Sequence, residues 1–186
     1  VQTCALPIYA ELEEANRQLR VLSAKDSLSG LYNHRYLYEE LDKMFHLYTR
    51  QKEKDDDKDF SLILIDIDNF KNVNDTYGHL IGDIAIKHLA EVMINNTRYS
   101  DSCFRHGGDE FAILLLDTDR KEAIGVAEKL RKIIMDTPIS FRDRELRITT
   151  SMGVASFSMA STVNDLIKKA DEKLYVSKNN GKNSVN

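Results

Sequence analysis

Two short clusters of acidic residues are the strongest sign of chemistry in this 186-residue sequence. Asp66 and Asp68 stand at the end of an apolar run, Phe60–Ile67. Asp109 and Glu110 follow directly on a Gly-Gly pair. A carboxylate at a buried strand is costly unless it is paired or binds a cation, and acids from two neighbouring strands form a usual cradle for Mg²⁺ carrying phosphates. Each cluster alone is also compatible with a polar strand end or a charged turn.

Three other kinds of site do not fit these residues. In an EF-hand loop beginning at Asp66, Phe70 would take the third ligand position and Lys71 the position of the glycine. Neither Gly78 nor Gly82 is followed by Lys-Ser or Lys-Thr, so no Walker loop is present. The five histidines contain no His-Glu-x-x-His arrangement, which argues against a zinc hydrolase.

Hydrophobic periodicity predicts the elements that position these acids. The apolar run Phe60–Ile67 has the length and β-branched content of a buried central strand. Cys103–His106 and Asp109–Leu116 are two extended runs joined by Gly107-Gly108, a hairpin signal because both turn positions accept positive φ. The remaining predicted elements are helices over about Arg35–Gln51, around Ile84–Met93, over about Arg120–Met135 and over Val163–Lys178, and a strand over Arg147–Phe157.

This order of strand, helix, hairpin, helix and strand predicts an α/β fold of the α+β kind. We expect a ferredoxin-like or palm-like central sheet that contains antiparallel strands and is flanked by helices, with the helices on one face. If the hairpin lies beside the first strand, the two acidic clusters approach each other.

The N-terminal part of the chain predicts a separate helix over residues 1–25, ahead of a domain over residues 26–186. The apolar residues of this helix alternate in steps of four and three: Ile8, Leu12, Ala15, Leu19 and Leu22. Such a seam suits either a partial coiled coil, used for signalling, or a helix packed on its own domain. The chain does not begin with Met, and we expect an N-terminal sensor domain to be missing.

Composition narrows the possible partners. The formal net charge of −4 argues against a nucleic-acid-binding protein. No run of 18 apolar residues occurs, so no membrane segment is expected within this chain, although the parent protein could be membrane-attached. Cys4 and Cys103 form no zinc or disulfide pattern, which predicts reduced thiols and a cytoplasmic domain.

Four ordered motifs then give a resemblance that covers about residues 26–185. The motifs are Asp26–Asn33 (DSLSGLYN), Asp66–His79 (DIDNFKNVNDTYGH) followed by Gly82-Asp83, Arg105–Phe111 (RHGGDEF), and Ala170–Tyr175 (ADEKLY) followed by Lys178 and Gly181. Together they resemble the GGDEF family of diguanylate cyclases. The resemblance implies an Mg²⁺-dependent enzyme, with Mn²⁺ also possible, that condenses two GTP molecules into cyclic di-GMP and pyrophosphate.

The resemblance also implies roles for individual residues. The metal would be held by Asp66, the Ile67 carbonyl, Asp109 and Glu110. Asp109 is the candidate acceptor of the proton from the attacking 3′-hydroxyl, and Lys71 resembles the transition-state cation. The implied substrate contacts are Asn74 and Asp83 on guanine, His79, the backbone of Gly107 and Gly108 on the α-phosphate, and Lys178 and Lys182 on the terminal phosphates.

The chain departs from the family pattern at two positions, where Lys182 and His34 replace residues that are usually Arg.

Two further expectations follow from the resemblance. Because each domain would hold one GTP, catalysis requires a homodimer in which two domains face each other. Arg98 and Asp101 are spaced from Gly107 as in the family's product-inhibition site for cyclic di-GMP, which is the favoured interpretation, and a helix-end salt bridge is the alternative.

Two rival functions are weighed against this interpretation. One is a catalytically silent GGDEF module that binds GTP or cyclic di-GMP and signals through protein contacts. The presence of Asp66, Lys71, Asp109 and Glu110 argues against it. The other is a cyclase that uses ATP, which Asp83 disfavours because a carboxylate repels the acceptor edge of adenine.

Overall fold

The structure is a computed structural model that describes residues 24–52, 58–142 and 144–186. The predicted N-terminal seam at residues 8–22 lies outside the described residues. The elements, in chain order, are β1 (Tyr32–Asn33), α1 (His34–Lys52), β2 (Ser61–Ile67), α2 (Phe70–Tyr77), α3 (His79–Asn96), β3 (Ser102–Gly107), β4 (Glu110–Leu115), α4 (Arg120–Asp136), β5 (Ile139–Phe141), β6 (Arg144–Leu146), β7 (Thr150–Ser156), a 3₁₀ turn (Phe157–Met159) and α5 (Val163–Asn179).

A five-stranded sheet in the order β1-β3-β4-β2-β7 forms the centre of the fold. Strand β2 is antiparallel to both of its neighbours, β4 and β7, while β1 is parallel to β3. All seven residues of β2 are buried, in agreement with the apolar run in the sequence. The predicted α+β fold, an antiparallel-containing sheet flanked by helices, is confirmed.

The expectation that the helices lie on one face of this sheet is wrong. Ile63, Ile65 and Ile67 of β2 belong to a core that includes residues of α3 and α4. Leu62 and Leu64, which alternate with them, belong to a second core that includes residues of α1 and α5. Because successive side chains of a strand point to opposite faces, an apolar run without alternation indicates burial on both sides.

Local turn chemistry accounts for the remaining differences from the predicted elements. The helical pattern after β2 is divided into α2 and α3 at Gly78, whose φ of 85° is readily adopted only by glycine. The short strand β1 and the β5–β6 hairpin were not predicted, since two or three residues carry no measurable periodicity. Within the described ranges, no helix combines the length and apolar character needed to cross a bilayer.

Close packing of α5 on β7 depends on Gly153. A Cβ at this position would lie 2.1 Å from the Ala170 carbonyl oxygen and 2.2 Å from the Leu174 backbone nitrogen. Both atoms belong to the helix backbone, which cannot move without displacing α5 as a whole. The helix that carries Lys178 is therefore positioned by the absence of a side chain at residue 153.

We predict that Gly153→Ala lowers the free energy of unfolding by about 3 kcal/mol, because the methyl group forces α5 away from the sheet. Urea unfolding followed by circular dichroism measures the change. Gly125→Ala is the matched control, since its Cβ would meet nothing within 4 Å in α4. That variant should gain about 0.5–1 kcal/mol from improved helix propensity. Equal stability of the two variants would contradict this account.

Candidate active site

The β3–β4 hairpin brings the two acidic clusters together at one end of the sheet. Glu110 is the register partner of Asp66 across the β2–β4 ladder. The next residue of β2, Ile67, donates its backbone N–H to the Asp109 carbonyl oxygen at 3.3 Å. Asp109 is half-buried and Glu110 is exposed, so both signature acids can reach a ligand in solvent. The site therefore follows from the register of two antiparallel strands.

The turn of this hairpin differs by one residue from the prediction. Gly107 pairs with Glu110 as the last residue of β3, so the two turn residues are Gly108 and Asp109, not the two glycines. Of the two glycines, only Gly108 has a positive φ, at 29°. A shift of register between Arg105 and Gly107 precedes the turn. Such an irregularity re-aims the end of a strand, and here it displaces the turn toward β4.

Arg105 holds this turn in place. Its Nε and Nη2 atoms donate to the Gly108 carbonyl oxygen at 3.0 and 2.7 Å, and its Nη1 atom donates to Asp26 Oδ1 at 3.0 Å. Asp26 also accepts from the backbone N–H and the hydroxyl of Ser29, at 2.8 and 2.7 Å. Sequence reasoning missed this positioning role, although both partners stand in the quoted motifs.

Asp66 is a buried carboxylate that faces a single cation. Its relative exposure is 8%, and its Oδ2 atom accepts from Lys178 Nζ at 2.7 Å. Burial raises the pKa of Asp66, and the negative charges of Asp109 and Glu110 raise it further, whereas the Lys178 ammonium opposes the change. Among the described residues, Lys178 is the one cation that forms an ion pair with any of these three acids, so the carboxylates retain capacity to bind a further cation.

Asp68 has a structural role, although the sequence groups it with Asp66. It accepts from Ser151 Oγ at 2.6 Å, from Thr149 Oγ1 at 2.8 Å and from the Asn183 backbone N–H at 2.9 Å. These donors satisfy both carboxylate oxygens and tie the C-terminal segment to β2 and β7. The carboxylate of Asp68 is therefore already engaged and is not part of the candidate metal site.

The donor set fits a magnesium ion that is shared with phosphates, and it does not fit a cation enclosed by protein. Across the described residues, no group of three or more His, Cys, Asp or Glu side chains converges as a metal cage. Mg²⁺ is commonly bound through one or two carboxylates, with its other positions filled by substrate phosphates and water. Asp66 and Glu110, on adjacent strands, supply that number of carboxylates.

The predicted guanine contacts lie on two helices, α2 and α3, that pack against each other. A Cβ at Gly82 would lie 2.0 Å from Asn74 Oδ1, so glycine allows the Asn74 amide to lie against α3 at the residue before Asp83. Both Asn74 and Asp83 are half-buried. Lys71, near the start of α2, and His79, the first residue of α3, are exposed. The structure thus places Asn74 against Gly82, the residue before Asp83, and leaves the other two side chains in solvent.

The two positions that depart from the family pattern have local partners. Lys182 has a positive φ of 65°, and its Nζ atom donates to Asn69 Oδ1. The ring centroids of His34 and His106 lie 4.6 Å apart, at the sheet end that carries the signature. Lys182 therefore lies near the end of β2 but contacts an amide, whereas Lys178 contacts an acid.

Arg98 and Asp101 form a tight turn between α3 and β3. The Arg98 backbone N–H donates to Asp101 Oδ2 at 3.0 Å, and the Asp101 N–H donates to the Arg98 carbonyl oxygen, also at 3.0 Å. The helix-end salt bridge considered above is not the contact observed, because the bond comes from the backbone and not from the guanidinium. The exposed Arg98 side chain is left available for a ligand.

Comparison with known proteins identifies the family. A family model described as "Diguanylate cyclase, GGDEF domain" matches residues 23–184. The chain belongs to the GGDEF family. Diguanylate cyclase A of Treponema denticola is 36% identical to this GGDEF chain over 171 residues, which is 91% of the chain and 46% of the relative. The response regulator PleD of Caulobacter vibrioides is 37% identical over 167 residues, 88% of the chain and 36% of the relative.

The GGDEF chain thus spans less than half the length of these curated relatives. Among solved structures, the coiled coil and GGDEF domain of DgcB from Caulobacter crescentus in complex with c-di-GMP is similar, with a TM-score of 0.85 and 27% identity. The match covers 97% of this chain and 94% of that one. Diguanylate cyclase SiaD of Pseudomonas aeruginosa, with its activator SiaC, has a TM-score of 0.83 and 30% identity over 98% of this chain and 70% of that one.

We predict that Asp26→Asn destabilises the GGDEF domain by about 1 kcal/mol at neutral pH, because the charge-assisted bond to Arg105 is weakened. Burial opposes ionisation of Asp26, but bonds from Ser29 and Arg105 outweigh it and lower the pKa of the carboxyl. The contribution of the ionised Asp26 carboxylate to the free energy of unfolding is therefore complete above the unfolded pKa of about 3.9. It is lost as the pH falls through the lower pKa of the folded state.

Urea unfolding at a series of pH values measures the difference between wild type and variant. The difference should persist from neutral pH to about 4 and vanish in stronger acid. The exposed Asp42→Asn on α1 is the control and should match wild type throughout. A difference for Asp26→Asn that is unchanged below the folded pKa would count against the ion pair as its source.

Proposed function

We propose that this GGDEF domain is a diguanylate cyclase that condenses two GTP molecules into cyclic di-GMP with magnesium. In each of two identical steps, a 3′-hydroxyl oxygen attacks the α-phosphorus of the other GTP. The bond from that phosphorus to the bridging oxygen breaks, pyrophosphate leaves, and the hydroxyl proton is removed. The opposition of Asp66 and Glu110 across β2 and β4, beside a turn that Arg105 pins, is the observation that carries the proposal.

The acids at the sheet end would have two tasks, to bind the metal and to accept the proton of the 3′-hydroxyl. Asp66, the adjacent Ile67 carbonyl, Asp109 and Glu110 would hold the metal. When it is bound, the metal would neutralise the phosphate charge and acidify the 3′-hydroxyl. Asp109 stands in the turn and is the proposed proton acceptor. Two hydrogen bonds fix the backbone of Asp109. Ile67 N–H donates to the Asp109 carbonyl oxygen, and Arg105 donates to the carbonyl oxygen of the preceding residue, Gly108.

Guanine would be read where α2 and α3 cross. The Asp83 carboxylate can accept from the ring and exocyclic N–H groups of guanine, and the Asn74 amide supplies both a donor and an acceptor. Adenine presents an acceptor at the ring position where guanine has a donor, so the same carboxylate disfavours ATP. His79, exposed at the start of α3, would contact the nucleotide from the rim of this site.

Backbone and lysine groups would hold the triphosphate. Gly107 and Gly108 have no side chain to block the α-phosphate, and a Cβ at Gly108 would meet nothing within 4 Å. Lys178 contacts Asp66 at the end of β2, and Lys182 contacts Asn69 just beyond it, and both would bind the terminal phosphates. Exposed Lys71 would stabilise the charge that develops on the transferring phosphate.

Two domains are needed, because each would hold one GTP and the product contains two bonds between nucleotides. Positioning of each 3′-hydroxyl against the opposite α-phosphate then supplies much of the rate enhancement. We propose a homodimer in which the two signature turns face each other. An input domain on the N-terminal side of the predicted seam would set this encounter through that seam. GTP as the proposed substrate favours a cytoplasmic domain.

The decisive prediction concerns Asp109. Wild-type protein incubated with GTP and Mg²⁺ should give cyclic di-GMP and pyrophosphate, resolved by chromatography, whereas Asp109→Ala should lose at least ~10²-fold in rate, the lower range for a general base. The exposed acid variant Asp42→Asn, on α1, should retain wild-type activity. GTP binding without product, in wild type and variant alike, would favour the silent module and contradict the cyclase proposal.

We further propose that Arg98 binds cyclic di-GMP and makes the enzyme subject to product inhibition. The exposed guanidinium is presented on a turn that the Asp101 carboxylate stabilises through the Arg98 backbone. A planar guanidinium can donate two parallel bonds to a phosphate or to the acceptor edge of guanine. Asp101 is a positioning residue in this proposal, and its carboxylate can also accept from guanine.

We predict that Arg98→Ala weakens binding of cyclic di-GMP by at least ~10-fold, since a charge-assisted bidentate contact is lost. Isothermal titration calorimetry measures the affinity, and progress curves with added product measure the inhibition. The activity without added product should be unchanged, as should both properties in the control Arg50→Ala on α1. Retention of full product affinity in Arg98→Ala would remove Arg98 from the inhibitory site.

A further inference from the structure

We propose that Lys178 competes with the divalent cation for Asp66 and is drawn off this carboxylate by the triphosphate, so that metal and nucleotide bind cooperatively. This inference rests on the proposed function, because it uses the same metal and phosphate assignments. It adds that one lysine couples the two binding events. Lys178 then acts in turn as the counter-ion of Asp66 and as a ligand of the substrate.

The ion pair between Lys178 and Asp66 is the observation that carries the inference. Lys178 Nζ lies 2.7 Å from Asp66 Oδ2, in an ion pair whose acid side chain is only 12% exposed. Within the described residues, Lys178 is the one cationic side chain that forms an ion pair with Asp66. The residue is also the basic residue in the last turn of α5, where the helix dipole favours a positive charge.

The need for a counter-ion follows from the surroundings of Asp66. Its carboxylate is buried at the end of β2 and faces two further acids, Asp109 and Glu110. An unpaired carboxylate in such a place is strongly disfavoured, so the ammonium stabilises the site. A cation that binds the same Oδ2 atom must displace the ammonium or accept repulsion from it at close range. Either route weakens binding of a free metal ion.

The anchoring of α5 determines how Lys178 can move. The neighbouring Ser177 hydroxyl donates to the Met152 carbonyl oxygen at 2.7 Å and accepts from Asn186 Nδ2 at 2.9 Å. The helix backbone is therefore fixed to β7, and only the lysine side chain is free to exchange partners. That side chain is 36% exposed, so its ammonium can turn toward a ligand in solvent.

The triphosphate would be the new partner of the Lys178 ammonium. Its oxygens carry more negative charge than a single carboxylate, and an ammonium with three donors can pass to them without a change of helix position. Once the ammonium contacts phosphate, Asp66 Oδ2 can serve the metal without the competing charge. Nucleotide should therefore tighten metal binding, and by linkage the metal should tighten nucleotide binding by the same factor.

Lys178→Met tests the competition, with Lys182→Met as matched control. Both changes remove one lysine charge near the same sheet end, but Lys182 contacts the Asn69 amide and not an acid. Mn²⁺ affinity is measured at pH 8 without nucleotide, by electron paramagnetic resonance of the free ion. We expect Lys178→Met to bind Mn²⁺ at least ~10-fold more tightly than wild type, and Lys182→Met to stay within about twofold. Lys178→Gln should behave like Lys178→Met.

The same titration in the presence of a non-hydrolysable α,β-methylene GTP tests the coupling. Wild type should gain affinity for Mn²⁺ when the analogue is present, and Lys178→Met should gain clearly less. Unchanged Mn²⁺ affinity in Lys178→Met, or an equal gain in both lysine variants, would overturn the competition and leave the cyclase proposal standing. Absence of Mn²⁺ binding in all proteins, with and without analogue, would overturn both the inference and the proposed metal site.

Discussion

The register between β2 and β4 is the constraint on which the rest of the site depends. It sets Glu110 opposite Asp66 and brings the Ile67 N–H to the Asp109 carbonyl oxygen. A shift by one residue would turn every side chain of β4 to the other face of the sheet. Because both faces of the sheet are buried, such a slip would exchange side chains of different size between two packed cores, such as Phe111 for Ala112, and would leave clashes and cavities. The hydrophobic effect thus fixes the position of two charged groups.

The acidic residues at the sheet end form two groups that differ in their partners. Asp68 and Asp26 have their hydrogen bonds satisfied within the protein and hold the backbone around the site, through Ser151 and Asn183 in one case and Arg105 in the other. Within the described part of the chain, the one ion pair formed by Asp66, Asp109 or Glu110 is that of Asp66 with Lys178. This division explains why neighbouring acids of the same type serve different purposes, and why only the second set is suited to a metal and phosphates.

The sequence predicts the central sheet and the acids because both signals are local. The apolar run of β2 and the Gly-Gly hairpin are short patterns whose meaning does not depend on distant residues. The two-sided core could also have been inferred, since Ile63 and Leu64 are both apolar. The Arg105–Asp26 pair spans 79 positions, and the Lys178–Asp66 pair spans 112. Hydrophobic periodicity carries no information on pairs so far apart in the sequence. The motifs contain all four residues but do not show which of them pair.

Two acids of similar sequence context illustrate the same limit. Asp66 and Asp68 are separated by one residue and both follow the apolar run, yet only Asp68 meets the donors of Thr149 and Ser151. Those donors come from β7 and the residue before it, more than 80 positions along the chain. The difference between a structural acid and a candidate metal ligand is therefore decided by tertiary contacts, which the local sequence does not contain.

The dependence of cyclic di-GMP formation on protein concentration tests the central claim most directly. In the proposed mechanism each domain would hold one GTP, so two domains would be required for each product molecule. With GTP and Mg²⁺ saturating, the rate per domain should rise with protein concentration until sedimentation shows the domain to be dimeric. A rate per domain that stays constant down to concentrations at which the protein sediments as a monomer would contradict the account.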